Sequence, residues 1–220
     1  MILKKNLPWI EKYRPHNIKN VIGQKNVTKM IKKCIKNHNI PHLLFYGPSG
    51  TGKTSIAIAL CYELYGKKLF NQYVLELNAS DERGIKVVRK KIKTFAKNKI
   101  LQTKNPKIPD FKIIILDEAD ALTDNSQFAL RMIIEKYSST TRFFLICNYI
   151  TKINHALISR CVKFRFNEIS KINIIKYLNN ICEKEKFQIN KKNLNKIIDY
   201  SNGDLRKAII SLQRLFFISK

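Results

Sequence analysis

A glycine-rich run from Gly47 to Thr54, with the sequence GPSGTGKT, carries the first candidate chemistry of this chain. Glycines let backbone N–H groups turn inward around phosphate oxygens, and a helix that begins here adds the positive end of its dipole. In this pattern Lys53 reaches the β- and γ-phosphates, and the hydroxyl of Thr54 ligates Mg²⁺. A glycine turn inside a core is the alternative, but the order of apolar strand, loop and helix argues against it. The pattern predicts a site for ATP with Mg²⁺, formed by Gly47, Pro48, Ser49, Gly50, Thr51, Gly52, Lys53, Thr54 and Ser55.

Two acidic residues, Asp117 and Glu118, follow the apolar run at 113–116. Asp117 is predicted to hold the Mg²⁺ shell, and Glu118 to orient and polarise the attacking water. A purely structural role is a weak alternative, because an unpaired carboxylate at the end of a buried strand costs stability. Residues 117–120 also spell DEAD, the label of a family of RNA helicases. The SAT and HRxGRxxR signatures of that family do not follow, so we discount it.

Three further polar residues are candidates for a role in this chemistry, two at this site and one directed away from it. Asn148 ends the next core strand, where its amide can position water beside the γ-phosphate, although a turn-forming asparagine is an equal alternative. Arg206 begins the last helix and can fold down onto the nucleotide. Arg160 lies on a loop at the domain edge, and we expect it to point away from its own site.

The elements that must position these residues alternate between strand-like and helix-like segments. This alternation is typical of an α/β domain with a parallel sheet covered on both faces, here of five strands. No strand-like run follows Phe166, so we predict a nucleotide-binding domain over 1–166 and a helical lid over 167–220. The predicted strands are Leu43–Tyr46, Tyr73–Leu77, Ile113–Leu116, Arg142–Cys147 and Val162–Phe166.

Three helical patterns follow in the predicted lid, with apolar residues three and four positions apart. Asn202, Gly203 and Asp204 supply a turn and an N-cap for the last helix. The apolar sets are Ile172/Ile175/Leu178/Ile181, Leu194/Ile197/Ile198, and Leu205/Ala208/Ile209/Leu212/Leu215/Phe216.

The formal net charge is +26, from 42 basic and 16 acidic residues, and suggests a polyanionic partner such as nucleic acid. Lys, Asn and Ile are all over-used, so drift in an A/T-rich coding sequence is an alternative source of this charge. The five cysteines are scattered without a CxxC pair, which indicates neither a zinc site nor a disulfide framework. Without a signal h-region or a membrane span, we expect a soluble intracellular protein.

Several motifs run in order through nearly the whole chain. Together they resemble the small subunits of replication factor C, the AAA+ clamp loader of eukaryotes, archaea and some large DNA viruses. The combination of NASDERGI, SRC and the N-terminal EKYRP is the most specific part. The motifs are PWIEKYRP (8–15), IGQ (22–24), GPSGTGKTS (47–55), LNASDERGI (77–85), IIILDEAD (113–120), CNY (147–149), ISRC (158–161) and GDLRKAI (203–209).

The resemblance implies that Asn148 is sensor 1 and Arg206 is sensor 2. It implies that Arg160 is an arginine finger for the ATP site of a neighbouring subunit. Ser49 departs from the family pattern, in which a proline is usual, and Met132 stands where a second arginine is common. The segment that wraps the adenine would include Tyr13, Arg14, Val21 and Ile22.

The resemblance also implies partners. The family adds a third, helical collar domain that assembles a pentamer, and the sequence stops at Lys220 without it. We therefore expect the chain alone to be largely monomeric, with slow turnover, and to gain activity from other clamp-loader subunits.

A stripe of basic residues lies on the helix predicted from Gly84 to about Ala96. At about 100° per residue, Ile85, Val88, Ile92 and Phe95 share one face. The opposite face carries lysines a turn apart, which can follow a phosphate backbone. A solvated face is the alternative, but in the family this helix lines the DNA chamber. The predicted contacts to the DNA backbone are Arg83, Lys86, Arg89, Lys90 and Lys93, with Lys97 on the same arc.

These observations predict an ATPase subunit that opens a sliding clamp and loads it onto primer-template DNA during replication. The expected location is the nucleus in a eukaryote, and otherwise the cytoplasm or a viral replication compartment. Two alternatives stay open: another AAA+ DNA-remodelling ATPase, of helicase or branch-migration type, and a loader subunit that does not hydrolyse ATP.

Overall fold

The computed structural model of the chain describes residues 7–37, 39–80, 85–98 and 108–219, and for residues 85–89 it describes the backbone alone. The strands are β1 Leu43–Tyr46, β2 Val74–Asn78, β3 Lys112–Asp117, β4 Thr141–Cys147 and β5 Val162–Arg165. The α-helices are α1 Trp9–Lys12, α2 Lys25–Lys36, α3 Lys53–Tyr73, α4 Ile85–Lys97, α5 Asp124–Tyr137, α6 His155–Ile158, α7 Lys171–Glu185, α8 Lys191–Ser201 and α9 Leu205–Ile218.

The five strands form one parallel sheet in the order β2-β3-β4-β1-β5. All five predicted strands are confirmed, with ends that differ by at most one residue. Because the strands are parallel, their carboxyl ends meet at one edge of the sheet, and ligands of such sheets bind outside that edge. The glycine-rich run and the acidic pair both lie there.

Both faces of the sheet are buried. Ile113 and Ile115 of β3 pack in a core with α2 and α3, whereas Ile114 and Leu116 pack in a second core with α5 and α6. Alternate side chains of a strand point to opposite faces, so a strand covered on both sides must be apolar at every position. The uninterrupted apolar run at 113–116 reflects this burial.

The lid is formed by α7, α8 and α9 around a core of its own, which also includes Trp9 from α1. The predicted apolar sets of α8 and α9 all belong to this core. The set predicted for α7 was wrong at Ile172, which is 66% exposed, whereas Ile174 is fully buried. These two residues lie on nearly opposite sides of a helix, about 200° apart. Ile174 lies on the same face as Leu178 and Ile181, so Ile174 is the residue that packs in the lid core.

Two of the predicted local features are confirmed. Asn202 and Gly203 adopt left-handed conformations (φ 45° and 82°), and the Asp204 side chain accepts a hydrogen bond from the Lys207 N–H at the start of α9. The helix expected after Gly84 spans Ile85–Lys97. Within the described ranges, no helix is both long enough and apolar enough to cross a membrane.

Candidate nucleotide site

The glycine-rich run connects β1 to α3, as the pattern predicted. Gly52 adopts a left-handed conformation (φ 94°) and α3 begins at the next residue, so the free N–H groups of the first helical turn face the loop. Gly50 also has positive φ (65°), and a Cβ there would lie 1.8 Å from Oδ1 of Asp204. Only glycine fits at this point, because the loop touches the lid.

Lys53 is the buried cation of the site. Its Nζ donates to the carbonyl oxygens of Gly47 (2.8 Å) and Pro48 (2.7 Å), and to Oδ1 of Asn148 (2.9 Å). Burial lowers the pKa of Lys53, while the charge of Asp117 acts in the opposite direction. An ammonium group has three N–H donors, so these three acceptors occupy all of them.

Thr54 and Asp117 form the predicted metal-binding pair. The Thr54 hydroxyl donates to Oδ2 of Asp117 at 2.7 Å, which brings together a hydroxyl from α3 and a carboxylate from the end of β3. Mg²⁺ is bound by one or two such oxygen ligands, with water and phosphate oxygens as the others. The donor set of this site therefore fits Mg²⁺.

Glu118 lies directly beyond the metal-binding pair. It is exposed and adopts a left-handed backbone conformation (φ 53°), which is uncommon for a residue other than glycine. Its backbone N–H donates to Oδ1 of Asp117 at 2.9 Å. Backbone conformations of this kind concentrate at functional sites, and Glu118 is one of the residues that line the cleft.

Asp120 fixes the loop that carries Asn148, which the sequence analysis did not predict. Its Oδ2 accepts hydrogen bonds from the backbone N–H groups of Asn148 and Tyr149, both at 3.1 Å. These bonds tie the end of β4 to the turn after β3. Asp120 was visible in the sequence as the last residue of DEAD, but its role could not be predicted because its partner Asn148 lies 28 positions away.

Arg206 and the glycine-rich loop line the same cleft, together with Asp117, Glu118 and Asn148. Arg206 is exposed and lies in the first turn of α9. The lid is held against the loop by two hydrogen bonds. Ser49 Oγ donates to Asp204 Oδ2 at 2.9 Å, and the Leu205 N–H donates to the Gly50 carbonyl at 3.2 Å.

The other end of the cleft is mostly apolar. Of the four residues predicted to wrap the adenine, Tyr13 and Arg14 line this end, whereas Val21 and Ile22 are not among the lining residues. Val21 lies behind the loop, 3.7 Å from where a Cβ of Gly52 would be, and Ile22 packs against the lid core. The remaining lining residues of this end were not predicted from the sequence. They are Ile10, Pro15, Tyr177, Leu205 and Ile209.

The tyrosine of α7 closes this apolar end. The Tyr177 hydroxyl donates to the backbone carbonyl of Tyr13 at 2.6 Å, and the Tyr13 hydroxyl donates to Glu185. The N-terminal segment is thereby attached to the lid, and residues of both line this end of the cleft. Leu205 and Ile209 lie within one helical turn of Arg206 on α9, and this spacing could have indicated that they line the same cleft. No sequence pattern indicated that Tyr177 does so.

Arg160 lies away from this cleft, as the sequence analysis expected. It follows α6, and its NH1 donates to the Ala156 carbonyl at 2.6 Å. Its NH2 lies 2.5 Å from Oε1 of Glu135 on α5. No residue of the cleft lining is among its described partners.

The predicted basic stripe is described in part. Lys90, Lys93 and Lys97 are exposed on α4, and Ile92 on the opposite face is buried. Arg83 lies outside the described residues, as do the side chains of Lys86 and Arg89. For the part of α4 whose side chains the structure describes, the exposed lysines and the buried Ile92 agree with the predicted period.

Comparisons with known proteins locate the chain in a family. The model of the ATPase family associated with various cellular activities (AAA) matches residues 43–169. A second model, of an RCF1/5-like AAA+ ATPase lid domain, matches residues 176–216.

The chain is also similar to three replication factor C proteins. Subunit 2 of Saccharomyces cerevisiae is 50% identical over 94% of this chain and 60% of that protein. Subunit 4 of Caenorhabditis elegans is 46% identical over 98% and 65%, respectively. The small subunit of Aeropyrum pernix is 48% identical over 96% and 63%. These findings confirm the resemblance that the motifs indicated, and the chain spans less than two thirds of the length of these relatives.

Among solved structures, the RuvB Holliday junction branch migration motor of Thermotoga maritima superposes with a TM-score of 0.70 at 18% identity. The match covers 92% of this chain and 64% of that one. At this level of identity the likeness shows the fold alone, and it confirms an AAA+ arrangement of sheet and lid.

Proposed function

The chain belongs to the AAA family of ATPases and is homologous to replication factor C small subunits, and we propose that it is an ATPase subunit of a sliding-clamp loader. In this role it would work with other loader subunits to open a ring-shaped clamp and place it on primer-template DNA. That work would place it in the nucleus of a eukaryote, or else in the cytoplasm or a viral replication compartment.

One observation carries the proposal: a single cleft is lined by Lys53, Thr54, Asp117, Glu118, Asn148 and Arg206. These are the residue types that phosphate binding, Mg²⁺ binding and orientation of water use in ATP hydrolysis. Lys53 would contact the β- and γ-phosphates, and Glu118 would polarise the attacking water. Thr54 and Asp117 would hold Mg²⁺, which when bound neutralises charge on the phosphates. The apolar end formed by Ile10, Tyr177 and Ile209 suits the adenine ring.

Binding of ATP must change the contacts of Lys53. Its three N–H donors are shared among Gly47, Pro48 and Asn148, so a phosphate oxygen has to replace at least one acceptor. Asn148 is the side-chain partner and can move without distorting the loop. We expect its amide to leave Lys53 and turn toward the water that Glu118 polarises. The same exchange could affect the lid, because Arg206 of the lid lines the same cleft as Asn148.

The test of this function is ATP turnover by the chain together with partner subunits, with and without primed DNA and clamp. DNA and clamp should raise turnover, and Lys53→Ala should abolish the contribution of this chain. Binding of ATP without any turnover under all conditions would instead favour a structural loader subunit. Unwinding of duplex DNA by the purified protein would favour a motor of helicase or branch-migration type.

Arg160 is proposed to act on the site of a neighbouring subunit. Its guanidinium is permanently charged and forked, which suits a γ-phosphate supplied by another chain. Arg160→Ala should leave ATP binding by its own chain unchanged but lower turnover at the neighbouring site by about 10³-fold or more. Rapid, concentration-independent hydrolysis by the isolated chain that is lost on Arg160→Ala would show that the residue acts in cis.

The exposed lysines of α4 are proposed to contact the DNA backbone without reading its sequence. Reversing Lys90 and Lys93 to Glu should weaken binding of any DNA and lower the salt slope by about 2, since each phosphate contact contributes about 0.9. The matched control is reversal of Lys191 and Lys192 on α8, which are also exposed. An equal loss in the two double variants would mean that only net charge matters.

A further inference from the structure

Glu135 is placed to act on the proposed arginine finger. It lies on α5, and its Oε1 is 2.5 Å from NH2 of Arg160, while NH1 of Arg160 donates to the Ala156 carbonyl at 2.6 Å. One terminal nitrogen of the guanidinium is thus held by a carboxylate and the other by the backbone of α6. The guanidinium plane is fixed at both corners.

A second arginine shares the same carboxylate oxygen. Nε of Arg131 lies 3.8 Å from Oε1 of Glu135, beyond hydrogen-bond distance, and has no hydrogen-bond partner among the described residues. The Arg131 guanidinium lies over the ring of Phe128, 4.6 Å from its centre. Arg131 is therefore held mainly by the aromatic ring, and the short contact of Glu135 is made to Arg160.

These contacts leave Arg160 able to donate outward. Each terminal nitrogen of a guanidinium carries two N–H groups. NH2 forms the ion pair with Glu135, and no other partner of NH2 is among the described residues. At NH1, the second group has only a long contact of 3.4 Å to the Ser159 hydroxyl, which a stronger acceptor can replace. The guanidinium can therefore keep both internal contacts while it binds a phosphate.

We infer that Glu135 is a positioning residue for Arg160, which it orients toward the nucleotide of the neighbouring subunit. The inference rests on the proposed trans action of Arg160. The side chains of Arg160 and Glu135 are 35% and 39% exposed, so the pair is accessible to a neighbouring subunit. Phe128 (56% exposed) and Met132 (50%) lie on the same face of α5 at helical spacing, and add apolar area to that surface.

The experiment measures turnover at the neighbouring site in an assembly where the test chain carries Lys53→Ala, so that its own site is silent. Glu135→Ala in the test chain should lower kcat about two- to fivefold with little change in KM, because a partly exposed ion pair contributes about 1 kcal/mol or less. Glu135→Gln keeps an acceptor for Arg160 and should recover part of the loss. Glu183→Ala on α7 is the matched control, since Glu183 is also an exposed helical residue.

A double-mutant cycle separates positioning from a general effect on α5. In an Arg160→Ala background, Glu135→Ala should have no further effect, because its target is gone. An equal additional loss in that background would overturn the inference, and so would a rise in turnover, which would mean that Glu135 sequesters Arg160. If Arg160→Ala itself leaves turnover at the neighbouring site unchanged, the proposed trans action of Arg160 is wrong. If Arg160→Ala lowers this turnover but Glu135→Ala does not, only the positioning role of Glu135 is wrong.

Discussion

Lys53 and Lys112 are the two buried lysines of the described residues. Lys53 lies at the carboxyl edge of the sheet, where the carboxyl ends of the strands meet, and Lys112 lies at the opposite, amino edge. Both donate to two backbone carbonyls, and burial lowers the pKa of both. Lys53 also contacts Asn148 and lines an open cleft. Lys112 donates to the carbonyls of Phe95 and Asn98, at 2.8 and 2.6 Å, and lies 4.8 Å from the centre of the Phe95 ring.

The difference lies in what surrounds each cation. At the amino edge, Lys112 caps the carboxyl end of α4, where free carbonyls and the helix dipole favour a cation. Arg142 of the same edge donates to the Ile40 and Ser138 carbonyls, so this edge is closed by internal bonds. At the carboxyl edge the partners of Lys53 include a movable side chain. A buried charge is thus structural where all its partners are fixed, and functional where one can be exchanged for a ligand.

The largest effect is expected at the carboxyl edge, from loss of the water-polarising group. Glu118→Gln should leave ATP binding nearly unchanged but lower turnover by about 10³-fold, because a general base contributes about 10²–10⁴-fold. Single-turnover hydrolysis and equilibrium ATP binding measure the two quantities separately. Glu63→Gln, at an exposed position of α3, is the control. Normal turnover of the Glu118→Gln variant would refute the role of Glu118.

The two lysines themselves give the second test of the comparison. Lys53→Met should weaken ATP binding by about 10²-fold or more, since it removes charge-assisted hydrogen bonds to phosphate. Lys112→Met should leave ATP binding unchanged and should lower the free energy of unfolding by about 1–3 kcal/mol, because two carbonyls lose their donor. ATP titration and denaturant unfolding of both variants check this. Similar profiles for the two variants would contradict the distinction between the edges.

A third test uses pH at the amino edge. His42 Nδ1 accepts a hydrogen bond from the Phe143 N–H at 3.1 Å, and burial, with a smaller effect of Arg142, lowers the pKa of His42 from 6.5 to about 4. The unfolded chain binds more protons between these two values, so stability falls as the pH drops below about 6.5. The loss from His42 between about pH 7 and about pH 5 should be about 2 kcal/mol.

The variant His42→Asn isolates this contribution, because its side-chain oxygen can accept the same hydrogen bond without titrating. Denaturant unfolding should show a shallower loss of stability on acidification than in the unaltered chain. His155→Asn, at an exposed position, is the control. ATP binding at neutral pH should not change in either variant. Parallel pH profiles for His42→Asn and the unaltered chain would show that His42 does not cause the loss of stability on acidification.

The smallest effect is expected where the cleft meets the lid. Ser49→Ala removes the hydrogen bond from the loop to Asp204, next to the helix turn that carries Arg206. ATP affinity should fall about two- to tenfold, in line with the net value of one hydrogen bond. Thr28→Ala on α2, which removes a side-chain to backbone bond away from the cleft, is the control. Unchanged affinity would show that the lid position does not depend on this bond.

Local sequence was sufficient for the parts of the site that lie within a few residues of one another. The loop from Gly47 to Thr54 and the acidic pair after β3 were predicted because each joins a buried strand to a turn, and burial leaves an apolar signature in the sequence. The strand bounds followed from the same signature. The sequence also determined where Arg206 lies, since the turn at Asn202 and Gly203 and the N-cap Asp204 fix the start of α9.

Only the tertiary structure decided which distant residues meet. Ser49 and Asp204 are 155 positions apart, and Tyr177 reaches Tyr13 across 164 positions. Val21 and Ile22 pack behind the cleft because apolar side chains fill the space between loop and lid, which no local pattern reveals. The structural role of Lys112 and the contact of Glu135 with Arg160 were hidden for the same reason. A sequence shows the period of an element, but the partner of a side chain depends on how the elements pack.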